Sequence, residues 1–298
     1  MSDFKVVSLA SSSKGNCILV IAGSERFLID CGISVPELLR KIKLLQIPDP
    51  PSKILLSHEH YDHTSGIAHL GKKYPIKIFA NFSTLSGMNK SLKKSHFEKE
   101  VFISGNTFAI GKVEIKPFRI FHDAKEPVGF SIIYKGSKVV YLVDAGRITD
   151  ENLKELTDAE LVILDSNYDN LSLLQGRYPP NVKKRIMEFG HLSNEIVANI
   201  ILNHSDPETE FWLAHLSKEN NTPGLAAMTV NYVLKHGNGE KTNFQILPRR
   251  RIGPIWEKKK AIQSEDLMQK VTISKEMNNK KFLKYTVEQF VFDFDTAI

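Results

Sequence analysis

The 298-residue chain is 42% hydrophobic and 25% charged, a balance that supports a buried core and excludes an extended, disordered polymer. Its two cysteines, Cys17 and Cys31, are too few for a disulfide framework or a thiolate metal site, and its apolar runs are strand-sized, which argues against a membrane span. The net charge of +6 suggests a polyanionic partner, but 11 Lys and Arg against 7 Asp and Glu lie from Arg249 onward, leaving a nearly neutral 29 against 27 in residues 1–248. The opening Met-Ser-Asp-Phe-Lys lacks the basic head, long apolar run and cleavage site of a secretory signal, so a soluble, cytoplasmic protein is expected.

Residues 4–10 read as a first strand, followed by a Ser-rich turn from Ser11 to Gly15. Small residues there would let backbone N–H groups face an anion, the alternative being an ordinary flexible turn. Cys17–Ala22 and Arg26–Asp30 predict a hairpin about Gly23-Ser24. A two-residue turn sets Cys17 opposite Asp30 and facing away from Cys31, so no disulfide is expected. Val35, Leu38, Leu39, Ile42 and Leu45 recur at helical spacing after Ser34 and Pro36, and Ile47-Pro-Asp-Pro-Pro51 stops that helix.

Lys53–Ser57 is a short buried strand that runs into Ser57-His-Glu-His-Tyr-Asp-His-Thr-Ser-Gly66. Five ligand-type side chains, His58, Glu59, His60, Asp62 and His63, crowd this strand end, more than a merely solvated loop needs. His58 and His60 can point one way while Asp62 and His63 swing to a neighbouring point, which suits two metal ions rather than one.

Ile67–Lys73 then suggests a helix and Ile76–Ala80 a strand, while His69, His96, His204 and His236 read as structural or solvent-facing. Ser83–Glu100, polar and Lys-rich, reads as a solvated helical stretch. Strands are expected at Val101–Ile103, Thr107–Ile110, Val113–Ile120, Gly129–Tyr134 and Lys138–Val143. His122 ends one of these and Asp144 another. Leu161–Leu164 leads into Asp165-Ser-Asn-Tyr-Asp169, where Asn167 or Asp169 would order the loop. Arg177-Tyr-Pro-Pro180 is a rigid basic-aromatic patch, either a nucleotide contact or a packed loop. Gly190-His-Leu-Ser-Asn194 precedes a helix over Glu195–Leu202 with Ser193 or Asn194 as cap, which sets His191 at a helix N-terminus. Phe211–Ala214 is the last core strand, and His215 lies at its end. Past Pro248 the composition turns basic, and Phe290, Phe292 and Phe294 suggest a short strand.

His58-x-His60-x-Asp62-His63 after an apolar strand resembles the signature of the metallo-β-lactamase superfamily, mostly hydrolases built on a four-layer αββα sandwich of the α+β class. Ser8–Cys17, His122–Gly129, Gly190–Asn194 and Ala214–Asn221 resemble more narrowly its bacterial YycJ/VicX-like (WalJ) branch, and together these stretches span roughly residues 5–250. The resemblance implies a hydrolase domain over residues 1–248 with 249–298 as a basic extension. Carried over by position, it implies one metal on His58, His60 and His122, a second on Asp62, His63 and His215, and Asp144 bridging them. It further implies that Asp30 is a buried carboxylate supporting the metal loop. The loop beside the metals holds Ser12, Ser13 and Asn16, which with Asn194 are candidate substrate contacts.

Imidazole and carboxylate donors suit Zn²⁺, Mn²⁺ or Fe alike. Two such ions would make water nucleophilic near neutral pH, so hydrolysis is the expected reaction. Asp62 could orient that nucleophile, while His191, outside the ligand set, is the candidate to bind a phosphate or protonate the leaving oxygen. The branch is associated with 5′-to-3′ exonuclease activity and DNA repair. Single-stranded DNA is therefore the favoured partner, with RNA next, through a ribonuclease or tRNA-processing activity. A small-molecule hydrolase of a thioester, lactone or cyclic phosphodiester is the further alternative, kept open by the near-neutral body. The sequence leaves the oligomeric state open.

Overall fold

β-Branched and aromatic residues between turns form strands, which pair into two seven-stranded sheets in the computed structural model. The structure describes residues 3–88, 97–204, 206, 208–237 and 242–258. The first sheet runs, edge to edge, β14 (Ile255–Glu257), β1 (Phe4–Ala10), β2 (Cys17–Ala22), β3 (Glu25–Ile29), β4 (Lys53–Leu55), β5 (Lys77–Asn81) and β6 (Glu98–Phe102). The second runs β13 (Asn243–Ile246), β12 (Glu210–Ala214), β11 (Leu161–Asp165), β10 (Ser137–Leu142), β9 (Val128–Tyr134), β8 (Val113–Arg119) and β7 (Phe108–Ile110). In each sheet an antiparallel half adjoins a parallel half, β3 to β6 in the first and β10 to β13 in the second.

Alternation of side chains along each strand sends neighbours to opposite faces, and here both faces are covered. Phe4, Val6 and Phe27 of the first sheet meet Phe130, Ile163 and Trp212 of the second in the central core. On the outer face of the first sheet, Val7, Leu19 and Leu28 pack with Leu38 and Ile42 of the helix Val35–Leu44 and with Ile67 and Leu70 of the helix Ile67–Gly71. Val140, Val162 and Leu213 do the same beneath the helices Asp150–Leu156, Asn194–His204 and Pro223–His236. The layering is helix, sheet, sheet, helix, the αββα sandwich implied by the motif. No helix among the described residues is long and apolar enough to cross a membrane.

Several local expectations are corrected. Among the described residues of the Ser83–Glu100 stretch, Phe82–Gly87 is helical and the last residues belong to the edge strand β6, where Lys77 pairs with Glu98 at 2.8 Å and Glu100 at 2.5 Å. Charges that suggest a solvated helix instead guard an exposed sheet edge. Residues 89–96, with His96, lie outside the described residues. Helices over Asp150–Leu156 and Pro223–His236 were not read from apolar spacing, although Thr149 and Thr222 cap them. Cys17 and Cys31 are free thiols as expected, but they do not face apart. Both join the outer core of the first sheet, because Asp30 takes a left-handed φ of 58° that breaks the alternation after β3. Burial and the hydrogen-bonded Cys31 push the Cys17 thiol well above its usual range.

Residues 249–258, which composition groups with the extension, continue along the first sheet. β14 pairs Val6 with Trp256, Lys5 bonds Glu257 at 2.7 Å, and the Gly253 N–H donates to the Ser8 carbonyl at 2.8 Å. The rest of the extension, with Phe290, Phe292 and Phe294, lies outside the described residues.

One close approach fixes the metal loop against the strands. A Cβ added to Gly32 would lie 1.5 Å from the Asp62 carbonyl oxygen, a clash between backbones that no rotamer relieves. Gly32→Ala is expected to lower the unfolding free energy by about 3 kcal/mol or more. Denaturant titration tests this, and a midpoint equal to that of the unsubstituted protein would contradict the packing described.

Candidate metal centre

The loop leaving β4 is shaped by one buried carboxylate. Asp30, at the end of β3 and 0% exposed, accepts from the Ser57 N–H at 2.9 Å, the Ser57 hydroxyl at 2.8 Å, His63 Nδ1 at 2.7 Å and the Tyr141 hydroxyl at 3.1 Å. Because Nδ1 of His63 carries the donated proton, its Nε2 turns to the open side. Ser57 spends its single proton on Asp30, so its oxygen accepts from His58 Nδ1 at 3.0 Å, and His58 too presents Nε2.

His58, His60 and His122 form the first cluster, their donor atoms within 4.8 Å of one another. The ring centroids lie 4.7 to 5.1 Å apart. His122, reached through the loop after β8, donates from Nδ1 to the Gly190 carbonyl at 3.0 Å and brings Nε2 to 3.2 Å from His60 Nδ1. His58 Nε2 is buried and has no hydrogen-bond partner among the described residues.

Asp62, His63, Asp144 and His215 form the second cluster within the same limit. His63 Nε2 lies 2.6 Å from Asp144 Oδ2, and His215 Nε2 lies 3.2 Å from Asp62 Oδ2. The same Asp144 Oδ2 is 3.5 Å from His58 Nε2, so one carboxylate oxygen faces both clusters. Asp144 and His215 are held at left-handed φ of 62° and 58°, at or just past strand ends, a conformation that Asp and His tolerate better than most residues.

Charge balance explains the protonation of the group. Burial and the neighbouring His63 hold His58 well below the usual imidazole range. Burial alone would depress His63 as well, but Asp30, Asp62 and Asp144 raise it well above that range, as Asp144 does for His215. Burial opposes ionisation of Asp144, yet His215 and His63 keep its carboxyl well below the carboxylate range. The carboxylates that hold these protons would equally attract a divalent cation, whose binding releases them.

His191 stands against both clusters, its ring 5.7 Å from that of His122 and 4.9 Å from that of His215. Its Nδ1 bonds Asp165 at 3.0 Å and lies 3.4 Å from Asp144, while Nε2 has no partner among the described residues. Burial disfavours its protonation, but Asp165 and then Asp144 carry its pKa up to about 9. Asp165 was not singled out in the sequence. It groups with Asp144, His191 and His215 as a third set of donor atoms within 4.8 Å. Its signal was its place at the end of a strand parallel to β10 and β12, whose own ends carry Asp144 and His215.

The candidate substrate contacts divide. Ser12 and Ser13 lie on the turn after β1, beside an open cavity. Asn16 is buried, gives its amide to Asp62 Oδ2 at 3.1 Å and lies 3.0 Å from His63 Nε2, so it braces the second cluster. Asn194 is fully buried and bonded to Ser166 at 2.8 Å and Asn221 at 3.1 Å, which ties the start of its helix to the neighbouring loops. Asn167 orders the His215 turn through that residue's carbonyl at 2.7 Å, and Asp169 caps the helix Asn170–Gln175.

The donor set fits divalent metal ions: the imidazoles of His58, His63 and His122 have their outer nitrogens already committed, His58 Nε2 is buried and has no partner among the described residues, and carboxylates lie between the clusters. An αββα sandwich that gathers two such clusters on a shared aspartate defines a metallo-β-lactamase-fold protein. A Beta-lactamase superfamily domain matches residues 25–205. The chain is 34% identical over 244 residues to exodeoxyribonuclease YycJ of Bacillus anthracis, covering 80% of this chain and 92% of that one. It is 32% identical over 252 residues to exodeoxyribonuclease WalJ of Streptococcus pneumoniae, covering 82% and 93%. The chain thus belongs to the β-lactamase superfamily, in its YycJ-like branch. Among solved structures, the metallo-β-lactamase fold protein YhfI of Bacillus subtilis matches with a TM-score of 0.65 at 17% identity, over 86% of this chain and 100% of that one.

His60→Ala is expected to lose metal from the three-imidazole cluster, and Asp30→Asn to weaken metal affinity by about 10- to 100-fold while leaving every donor in place. Competition against a chromophoric chelator measures both. Undiminished affinity in either variant would count against this donor assignment.

Proposed function

We propose that this chain is a dinuclear metal-dependent phosphodiesterase that degrades single-stranded DNA exonucleolytically, from the 5′ end. The observation that carries the reading is the meeting of two ligand clusters at Asp144 Oδ2, with His191 alongside. The two relatives named exodeoxyribonuclease support DNA as the substrate. His58, His60 and His122 would hold one ion, and Asp62, His63 and His215 the other, with Asp144 between them; Zn²⁺, Mn²⁺ and Fe all suit these donors. Bound there, the pair supplies a water nucleophile at neutral pH and polarises the phosphoryl group attacked.

The chain's own residues supply orientation and proton transfer. Asp62 turns Oδ2 toward His63 and His215, the side of the second cluster, which leaves its other oxygen to orient the attacking water. Asp165 fixes the His191 tautomer from Nδ1, and the protonated ring donates from Nε2 to the departing oxygen. Asp30 holds the loop that presents His58 and His63. The activity would operate in the cytoplasm.

Metal-reconstituted protein incubated with 5′- and 3′-labelled DNA and RNA should release label first from the 5′ end of single-stranded DNA. Rapid thioester cleavage with DNA untouched would sink the reading. His191→Ala should leave metal content intact and lower the rate on DNA by roughly 10²- to 10⁴-fold. The defect should shrink on a phosphodiester with an activated aryl leaving group, which needs little protonation. Equal defects on both substrates would reject proton donation, and lost metal would make His191 a ligand.

A further inference from the structure

A cavity of about 500 Å³ opens between the Ser-rich turn, with Ser12, Ser13 and Lys14, and the segment that follows His215 of the second cluster, with Tyr178 on its lining. Both of its walls grow from segments that carry the clusters. The Ser-rich turn contacts the His215 backbone, whose N–H donates to Ser11 Oγ at 2.7 Å, and leads within the same turn to Asn16 on Asp62. The opposite wall, Leu216 to Glu219, follows His215 directly in the chain. Whatever fills the cavity is therefore adjacent to the group held at the clusters.

Its charge is concentrated and unanswered. Four cations, Lys14, Lys218, Arg249 and Arg250, line it with one carboxylate, Glu219, in a body that is otherwise nearly neutral. None of the four forms an ion pair with a carboxylate among the described residues. Arg249 is pinned by the carbonyls of Ser217 and Asn221, which fixes its charge at the rim. A second cavity of similar size also has four cations, Lys116, Arg119, Lys138 and Lys154, but they are answered by two lining carboxylates, Glu151 and Glu155: Lys116 is paired with Glu155, and Lys138 donates to the Thr157 carbonyl. The first cavity also has Tyr178, a half-buried aromatic face, and serine hydroxyls. Fixed cations for a phosphate, hydroxyls to bond it and a ring on which a base stacks are what a nucleotide needs, and the volume suits one.

We infer that this cavity is a nucleotide subsite, receiving a phosphate on Lys14, Lys218 and Arg250 and the attached base on Tyr178, and so holding a single strand beside the bond being cut. The inference rests on the nuclease reading and extends it to residues outside both clusters. The ligand is the phosphate-bearing unit of a single-stranded nucleic acid.

The test is equilibrium binding by the metal-loaded full chain to a short, fluorescently labelled single strand with cleavage-resistant phosphorothioate linkages. Lys218→Ala/Arg250→Ala should weaken binding about tenfold or more and flatten the dependence of log affinity on log salt by about 1.4, the slope that two phosphate contacts contribute on a single strand. Arg119→Ala/Lys154→Ala, which removes equal charge from the other cavity, should change neither. Tyr178→Ala should lose affinity for the base-bearing strand, with Tyr178→Phe restoring it and an abasic strand insensitive to either. Cavity and control variants that bind alike overturn the subsite, as does a wild-type chain that binds no single strand. Because binding is read without turnover, failure of the subsite is distinct from failure of the nuclease reading, which the digestion of labelled DNA decides.

Discussion

A carboxylate removed from water is tolerated only when donors replace its hydration, and Asp30 has them from three directions. Ser57 binds it from the loop after β4, His63 from the helical turn that follows, and Tyr141 from the opposite sheet. The centre depends on this knot of hydrogen bonds. Through His63 it orients an imidazole of the second cluster, and through the Ser57 hydroxyl it orients His58 in the first. One residue that touches no substrate thereby aims two donors at two different points.

The sandwich supplies what a local motif cannot. His58 to His63 come from the first sheet, whereas His122, Asp144, Asp165 and His215 come from loops and strand ends of the second. The clusters exist only where the two sheets meet. Strand ends there bend sharply: Asp30, Asp144 and His215 all occupy left-handed conformations, at a cost of order 1–3 kcal/mol each that surrounding packing must offset. That strain turns side chains from the sheet direction toward the shared edge.

How much of this the sequence discloses depends on how local each signal is. The metal loop is legible because its donors are contiguous, and the long strands because runs such as Leu161-Val-Ile-Leu164 are buried on both faces. His122, Asp144 and His215 lie far apart in the chain, and only the resemblance joins them. Asp165 escaped notice because an aspartate ending a strand looks like any turn residue until its parallel neighbours are known. The bracing contacts of Asn16 and Asn194 are not legible either, because short polar side chains in a loop are equally able to meet a ligand or to tie buried groups together. Periodicity also failed where one residue departs from it: the left-handed Asp30 brings Cys31 onto the face of Cys17. Charges misled at β6, where lysine and glutamate protect an edge instead of solvating a helix.

The pairing of β14 with β1 has a consequence for how the molecule is made. Phe4, in β1, packs edge-on against Trp256 at a centroid distance of 5.3 Å, although about 250 residues separate the two in the chain. At about 5–20 residues per second, a ribosome needs on the order of 12–50 s to supply that partner. Until then β1 can pair on one side with β2, while the other edge exposes unpaired backbone groups and half of the Phe4 environment. Completion of the first sheet is thus a long-range event, and the nascent chain passes through a period in which β1 is open to the wrong neighbour.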